Sequence, residues 1–268
     1  MVIDQFWHGT LRRPYRLHTA TYGDDGKPVI VLLHGIAASG EDWHALIPLL
    51  TPHYHCITID LLGFGRSPKP QWAGYSMEEH LRSIRRTIRS LRLPWQYTLV
   101  GHSLGSLLAT RYVRRYPDDV ERLVLLSPPV YPALDTIEGK LALRRTDLLM
   151  RVYRIVRGHP RMTPDNVRRL SKLGAIPHTI AAHPDTWVPF KRSLQRCIEQ
   201  QTIAQDIREI RVPIDAMYGT LDAVVVGANV RALARLRDVD VHTFTGNHAL
   251  GHAYAKATAK LLVSKTLV

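Results

Sequence analysis

The chain has 268 residues, of which 45% are hydrophobic and 22% charged, and this balance excludes disordered, collagen-like and small disulfide-rich proteins. The length favours one α/β domain with a large core. The formal net charge is +13 at pH 7, which requires nucleic acid to be considered as a partner.

Cysteine content and the amino-terminal sequence bear on the cellular compartment. Cys56 lies in an apolar run and Cys197 on a predicted helix far along the chain, which is not a disulfide framework. The opening residues, MVIDQFWHGTLRRPYR, lack the basic-then-apolar order of a signal peptide. No stretch approaches roughly 18 uninterrupted apolar residues. We therefore expect a cytoplasmic protein without a membrane span.

Short apolar runs alternate with helical patterns along the chain, which is typical of a mostly parallel sheet with helices on both faces. The runs that predict strands are, in chain order, YRLHTATYG, PVIVLLHG, HCITIDLLG, YTLVGHS, ERLVLLSPP, VPIDAMYGT and VDVHTFTG. Between residues 131 and 205 the strand patterns stop, and helical patterns broken by prolines replace them. We therefore predict an α/β core of residues 1–130 and 206–268, with residues 131–205 inserted as a helical cap.

One segment before the centre of the chain is rich in arginine. In HLRSIRRTIRSLRLP five arginines recur at helical spacing opposite leucine and isoleucine, namely Arg82, Arg85, Arg86, Arg89 and Arg92. This pattern predicts an amphipathic helix whose basic side faces solvent. Because no helix-turn-helix, zinc or RNA-binding motif accompanies the charge, we expect no specific nucleic-acid partner.

The segment YTLVGHSLGSLLATRY places Ser103 between Gly101 and Gly105, where a predicted strand passes directly into a predicted helix. This spacing in this context is that of a nucleophile elbow, a strained turn that exposes the serine hydroxyl. Side chains at the two glycine positions would collide with the neighbouring strand and helix. A flexible turn without chemistry is the alternative, but the flanking elements favour a catalytic serine.

A serine nucleophile requires a base and an orienting acid. Asp222 lies just past the strand in VPIDAMYGT, and His248 lies just past the strand in VDVHTFTG, which gives the chain order Ser, Asp, His. Asp215 is the alternative acid, but it lies within a strand rather than beyond its carboxyl end. His252 is the alternative base, four residues further on in the first turn of the last predicted helix. Position at the strand ends favours Asp222 and His248.

The catalytic hypothesis also requires an oxyanion hole. In VLLHGIAASGEDW a buried strand ends at His34 and Gly35, which leaves the backbone amide of Ile36 to point toward that of Leu104. We predict that these two amides form the hole. A plain strand-to-helix turn capped by Ser39 is the alternative, and the two interpretations are structurally compatible.

From about residue 28 onward the sequence resembles the α/β-hydrolase fold family. The matching pieces are the His34–Gly35 turn with Ser39 and Trp43, DLLGFGRS at 60–67, the elbow at 101–105, YGTLD ending at Asp222 and TGNH ending at His248. The resemblance implies a serine hydrolase and a structural role for Asp60. Ser106 stands where many members carry a second glycine. Because dehalogenases and epoxide hydrolases of this fold carry an aspartate nucleophile, Ser103 argues against both activities.

These residues predict a reaction through an acyl-enzyme, without a metal or organic cofactor. We expect a small, largely apolar carboxylic ester as the substrate. The predicted cap offers side chains that could roof its pocket: Tyr131, Leu134, Met150, Tyr153, Met162, Trp187 and Phe190. The same triad could instead serve carbon–carbon bond hydrolysis, thioester or lactone hydrolysis, or acyl transfer, and a non-catalytic binding protein is the least favoured alternative.

Overall fold

The computed structural model describes residues 5–11, 13–93, 96–132, 137–159, 162–172 and 183–264. Across these residues the centre of the fold is a seven-stranded sheet in the order β1-β3-β2-β4-β5-β6-β7. The strands are β1 Thr19–Tyr22, β2 Val29–Leu33, β3 His55–Ile59, β4 Tyr97–His102, β5 Val120–Leu126, β6 Ile214–Gly219 and β7 Val239–Phe244. β1 runs antiparallel to β3, and the other neighbouring pairs are parallel. The predicted strands and the predicted α/β class are confirmed.

Helices cover the sheet and fill the segment between β5 and β6. The α-helices in the described part of the chain are α1 Ile47–Leu50, α2 Met77–Leu91, α3 Leu104–Arg115, α4 Lys140–Gly158, α5 Pro164–Lys172, α6 Trp187–Ser193, α7 Ile203–Arg208, α8 Gly227–Ala232 and α9 His252–Ser264. A 3-10 helix, Gly40–Trp43, precedes α1, and a π-helix, Leu194–Glu199, follows α6 directly. None of the helices described here is long and apolar enough to cross a membrane.

Two hydrophobic layers cover the two faces of the sheet. Val31 and Leu33 of β2 join the layer that contains α2 and α3, whereas Ile30 and Leu32 join the layer that contains α1 and α9. Because both faces are covered, the central strands are continuous apolar runs rather than alternating ones. Polar side chains that serve chemistry are therefore confined to the carboxyl ends of the strands.

The predicted arginine-rich helix is α2. It begins with a capping box, in which the Ser76 hydroxyl accepts from the Glu79 amide and the Glu79 carboxylate accepts from the Ser76 amide. Four of its predicted basic residues are exposed, namely Arg82, Arg86, Arg89 and Arg92. Arg85 differs from the prediction because it is only partly exposed. It pairs with Asp119 and its guanidinium lies 4.2 Å from the centre of the Tyr116 ring.

The segment between β5 and β6 contains helices and no strand among the residues that the structure describes, as its sequence pattern predicts. Its last helix, α7, is attached to the core through Asp206, which accepts hydrogen bonds from Arg111 and Arg114 of α3 at 2.9 Å. Near its start, Tyr131 O accepts from Gln201 Nε2 at 2.6 Å. Asp206 thus fixes the end of the segment to α3, and the start of the segment is joined to that same end through Gln201.

Candidate active site

Ser103 is the single residue between β4, which ends at His102, and α3, which begins at Leu104. Its φ of 50° and ψ of −115° are strained for a residue with a side chain, at a cost of about 1–3 kcal/mol. The Ser103 amide donates to Leu126 O on β5 at 2.9 Å, so the neighbouring strand holds the turn. The chain therefore makes the sharp strand-to-helix turn that the sequence predicts.

The two glycines of the elbow are required by close backbone packing. A β-carbon on Gly101 would overlap Gly105 O, and one on Gly105 would overlap Leu33 O on β2. Ser106, the departure from the family pattern, is buried and shares its hydroxyl proton between Gly101 O at 2.7 Å and Leu126 O at 3.1 Å. The additional side chain is therefore accommodated by hydrogen bonds that join the first turn of α3 to two strands.

Asp222 and His248 are in direct contact and both are buried. His248 Nδ1 donates to Asp222 Oδ2 at 2.7 Å, and Asp222 Oδ1 accepts from the amides of Val224 and Val225 at 2.8 and 3.1 Å. Burial alone would raise the pKa of Asp222, but the hydrogen bonds and the charge of His248 hold it below its ordinary value. An ionised carboxylate only accepts, so the His248 proton is held on Nδ1 and Nε2 is left as the basic atom.

Ser103 is connected to the Asp222–His248 pair by a hydrogen bond of the preceding residue, His102, and not by its own hydroxyl. The Ser103 hydroxyl makes no hydrogen bond to the part of the chain that the structure describes. His102, the preceding residue, lies with its ring centre 4.8 Å from that of His248, and its Nε2 donates to His248 O at 3.0 Å. The turn at Ser103 and the loop that carries His248 are thus joined through His102.

His102 is a neutral group in the folded protein. Burial, followed by repulsion from His248, lowers its pKa to about 3. A carbonyl oxygen only accepts, so the single ring proton lies on Nε2. The sequence places His102 inside the elbow but does not distinguish it from any other residue at that position, because its partner is a backbone atom 146 positions away.

Ser127 and Tyr254 are further site residues that the sequence does not single out. Ser127 Oγ donates to Asp222 Oδ2 at 2.7 Å, and Tyr254 donates to Ser127 Oγ at 2.9 Å. Ser127 directly follows β5 and has a φ of 47°, which aims its side chain along the carboxyl edge of the sheet. A serine in a Ser-Pro-Pro turn carries no signal of this role. Its position just past a strand end is the observation that could have found it.

The two predicted oxyanion amides are free of other partners. Neither the Ile36 nor the Leu104 amide makes a hydrogen bond among the described residues. The loop that carries Ile36 passes close to Ser103, since a β-carbon on the preceding residue, Gly35, would lie 3.3 Å from Ser103 Cβ. Ser39 accepts from the Glu41 amide at 3.3 Å as the predicted cap, so the capped turn and the free amide coexist.

The loop that carries Ile36 is fixed by two buried side chains, His34 and Asp60. His34 Nδ1 donates to Gly35 O at 2.7 Å and its Nε2 accepts from the Leu61 amide at 2.9 Å. Burial lowers the pKa of His34 to about 4, so the ring is neutral and can make both bonds. Asp60 accepts from the amides of Gly40 and Arg66 at 2.6 and 2.7 Å. Asp60 thus ties two loops together, which is a structural role.

The alternative acid, Asp215, and the alternative base, His252, lie outside the Asp222–His248 pair. Asp215 is buried within β6 and accepts from Arg122 at 2.7 Å and from His242 at 2.8 Å. His252 is exposed at the start of α9. Asp215, Asp240 and His242 bring three potential metal ligands within 4.8 Å, but the Arg122 guanidinium already neutralises the buried carboxylate of that group. It is Asp222 and His248 that share a hydrogen bond.

Residues of the predicted pocket roof meet the loop that carries Asp222. Tyr131 donates to Val224 O at 2.7 Å, and its hydroxyl lies 3.0 Å from that of Tyr153 on α4. Trp187 and Phe190 stack with ring centres 5.5 Å apart. Leu134, another of the predicted roof residues, lies outside the described residues. The helical segment is therefore in contact with the Asp222 loop at one point at least.

Comparison with known proteins places this geometry in a family context. A sequence profile described as alpha/beta hydrolase fold matches residues 28–155. A solved bromoperoxidase from Bacillus anthracis has a TM-score of 0.74 at 21% identity, covering 94% of this chain and 95% of that one. A solved enol-lactonase from Burkholderia xenovorans has a TM-score of 0.70 at 20% identity, covering 94% and 96%. These similarities establish the fold.

Two curated relatives extend the comparison in sequence. The chain is 35% identical over 115 residues to probable lysophospholipase BODYGUARD 1 of Arabidopsis thaliana, covering 41% of this chain and 24% of that protein. It thus spans about a quarter of the length of that relative. It is 26% identical over 216 residues to pimeloyl-(acyl-carrier protein) methyl ester esterase of Aeromonas salmonicida, covering 77% of this chain and 82% of that protein.

Proposed function

Because the chain has the α/β-hydrolase fold, we propose that it is a serine hydrolase that cleaves small, largely apolar carboxylic esters. One observation carries the proposal. A buried His248–Asp222 hydrogen bond of 2.7 Å lies beside the strained Ser103 turn, to which His102 links it. Buried titratable groups in this arrangement have the form of a nucleophile, a base and an orienting acid.

In the proposed cycle His248 Nε2 removes the Ser103 proton as the serine oxygen attacks the ester carbonyl. Asp222 holds the imidazole in the required tautomer and stabilises the imidazolium that forms. The Ile36 and Leu104 amides stabilise the oxyanion, and the imidazolium then protonates the departing alcohol. His248 then deprotonates a water molecule that attacks the acyl-enzyme, and the imidazolium returns this proton to Ser103 Oγ as the acid is released. The cycle needs no metal or organic cofactor.

The substrate class rests on the apolar surface near the site and on one relative. Residues 131–205 form a cap in this proposal, and the buried Tyr131, Tyr153 and Phe190 support a mostly apolar pocket beneath it. The Aeromonas relative is named as a methyl ester esterase, which favours an ester over the carbon–carbon, thioester, lactone and acyl-transfer alternatives. Unpaired buried cysteines support a reducing, cytoplasmic location.

The nucleophile is tested by covalent labelling and by kinetics together. A fluorophosphonate should modify one peptide, the one containing Ser103, and Ser103→Ala should abolish this label. The same variant should lower kcat/KM for p-nitrophenyl acetate by roughly a thousandfold to a millionfold with folding retained. Ser90→Ala is the matched control, because Ser90 lies on the outer side of α2 and donates only to Thr87 O. Wild-type turnover in Ser103→Ala would end the triad hypothesis.

The substrate class is tested with p-nitrophenyl acetate, butyrate, octanoate and palmitate, and with a diketone and a thioester for comparison. We expect the largest kcat/KM for a short or medium acyl chain. A maximum of kcat/KM at palmitate would contradict a pocket that accepts only short or medium acyl chains. Poor ester turnover beside good diketone or thioester cleavage would retain the triad but replace the substrate.

A further inference from the structure

Helix α4 has an exposed apolar row on the face that points away from the molecule. Leu141, Leu148 and Ile155 are 74%, 61% and 51% exposed. They are spaced by seven residues, so they lie on one face of the helix and span about 21 Å along it. Single exposed apolar residues are ordinary, but three that are aligned on one helix form an apolar stripe whose partner has to be sought.

This row is not the face by which α4 packs in the protein. The buried side of the helix is formed by Ala142, Thr146, Leu149, Tyr153 and Val156, roughly a quarter-turn or more away from the row. The helix is thus apolar on two sides, of which one is already used. The second side has no partner among the residues that the structure describes.

Basic side chains border the exposed row. From residue 140 to 158 the helix carries six basic residues and one acidic residue, Asp147. Lys140, Arg144, Arg151 and Arg154 are exposed, and Arg144 and Arg151 follow Leu141 and Leu148 by three positions, so they lie beside the row. Asp147 pairs with Arg151 at 2.8 Å and offsets only one of these charges.

The row continues toward the candidate active site. Leu141 lines a cavity of about 320 Å³ together with Gly219, Thr220 and Asp222. The loop that carries Leu221, itself 67% exposed, therefore borders the amino-terminal end of α4. A partner that bound to the exposed row would therefore lie next to the loop that carries Asp222.

We propose that this face of α4 binds an anionic lipid surface. Leu141, Leu148 and Ile155 enter the boundary between headgroups and acyl chains, while Lys140 and Arg144 contact lipid phosphates. Aliphatic residues at the centre with basic residues at the side are the arrangement of a helix that lies in a membrane interface. A nucleic acid would instead require the charges at the centre of the contact. The inference does not depend on the proposed esterase activity.

The test is sedimentation of the full chain with vesicles. We expect binding to phosphatidylcholine vesicles that contain phosphatidylglycerol, and at least about tenfold weaker partition to phosphatidylcholine alone. The double variants Leu148→Gln/Ile155→Gln and Lys140→Glu/Arg144→Glu should each lower partition to the anionic vesicles about tenfold or more. Leu49→Gln on α1 and Arg115→Glu on α3 are the matched controls, because both residues are exposed on other helices. Ser103→Ala should bind like the wild type.

Insertion is tested with a fluorophore that reports polarity. Cys56 and Cys197 are buried, and burial raises the pKa of each thiol to about 12, so a single exposed cysteine can be labelled selectively. Labelled Leu148→Cys should shift its emission to the blue on anionic vesicles, whereas labelled Leu49→Cys should not. The proposal would be overturned if the chain did not bind vesicles, or if it bound neutral and anionic vesicles equally. It would also be overturned if the α4 variants lost binding to DNA but kept binding to anionic vesicles.

Discussion

At the residue scale, the Asp222 carboxylate is the point on which the candidate site converges. It accepts four hydrogen bonds, from His248, Ser127, Val224 and Val225. Three of these fix the carboxylate, so the fourth can fix the orientation of His248. Asp222 thereby belongs to a hydrogen-bond network that begins at Tyr254 and ends at His248. A site that is built this way holds its geometry before a substrate arrives.

The choice of base can be tested with two histidines that are four residues apart. His248→Ala should lower kcat/KM nearly as far as Ser103→Ala, because it removes the imidazole that is hydrogen-bonded to Asp222. His252→Ala should change it less than about threefold, since His252 is exposed at the start of α9. Initial rates with p-nitrophenyl acetate measure both. The reverse order would assign the base to His252.

Ser127→Ala tests the network behind the acid. The variant removes a buried hydrogen bond of 2.7 Å to an ionised carboxylate, and we expect unfolding to become easier by about 1.5–3 kcal/mol at pH 7, with lower kcat. The pKa of Asp222 is lowered by folding, so its stabilisation is present above the unfolded value near 3.9 and is lost as pH falls.

Urea unfolding of wild type and variant at neutral and acidic pH measures this difference, which should shrink as Asp222 is protonated. Ser90→Ala is again the control, because its hydroxyl bonds only to a backbone carbonyl on an exposed side of α2. An unchanged stability in Ser127→Ala would contradict the role assigned to the hydroxyl.

At the scale of elements, the residues of the candidate site follow the carboxyl ends of β2, β4, β5, β6 and β7, either directly or within a short loop. His34 and Gly35 follow β2, Ser103 follows β4 and Ser127 follows β5. Asp222 and His248 come a few residues after β6 and β7. Because parallel strands present these ends at one edge, residues far apart in the chain meet there. The strands fix the positions of the short loops, and the loops carry the side chains of the candidate site.

The close approach of α3 to β2 gives a prediction for this element. Gly105→Ala would place a methyl group on Leu33 O, so we expect a loss of about 3 kcal/mol or more in unfolding free energy, or failure to fold. Gly158→Ala is the matched control, since a β-carbon at the end of α4 meets nothing within 4 Å. Thermal unfolding measures both. Equal stability of the two variants would mean that the elbow is not closely packed.

At the scale of the whole molecule, the fold keeps three histidines buried and neutral. Burial is the main cause of the lowered pKa of each, which is about 4 for His34, about 4 for His80 and about 3 for His102. His80 adds a contact between α2 and the helical segment, since its Nε2 lies 3.1 Å from Ser193 Oγ on α6. These histidines therefore take up protons when the protein unfolds in acid.

Acid should destabilise the protein well above the pKa of its carboxylates. Each histidine has a folded pKa below the unfolded value near 6.5, so the unfolded chain binds more protons and stability falls as pH drops from about 6.5 toward 4. The slope is roughly 1 kcal/mol per pH unit for each histidine. Urea unfolding at pH 7 and 5 measures it.

The slope should be smaller in His80→Gln, which removes one of the three groups. His53→Gln, at an exposed position, should leave it unchanged. If the free energy of unfolding were the same at the two pH values in the wild type, these histidines would not be buried as the structure places them.

The sequence by itself determined the strands, the α/β class and the sharp turn at Ser103. Hydrophobic periodicity and glycine spacing can be read locally. The first indicates the type of element, and the second indicates where the backbone leaves no room for a side chain. Asp222 and His248 could be proposed from their places just after strands, since parallel strands present these ends at one edge.

Only the tertiary structure decided which groups support the site and which surfaces remain open. His102 and Ser127 act on partners 146 and 95 positions away, and Arg85 leaves the solvated side of its helix for Asp119 and Tyr116. The exposed row on α4 consists of aliphatic residues, as does part of the buried side of that helix. Burial depends on what the rest of the chain packs against each face, and sequence pattern gives a side chain's direction but not its neighbour.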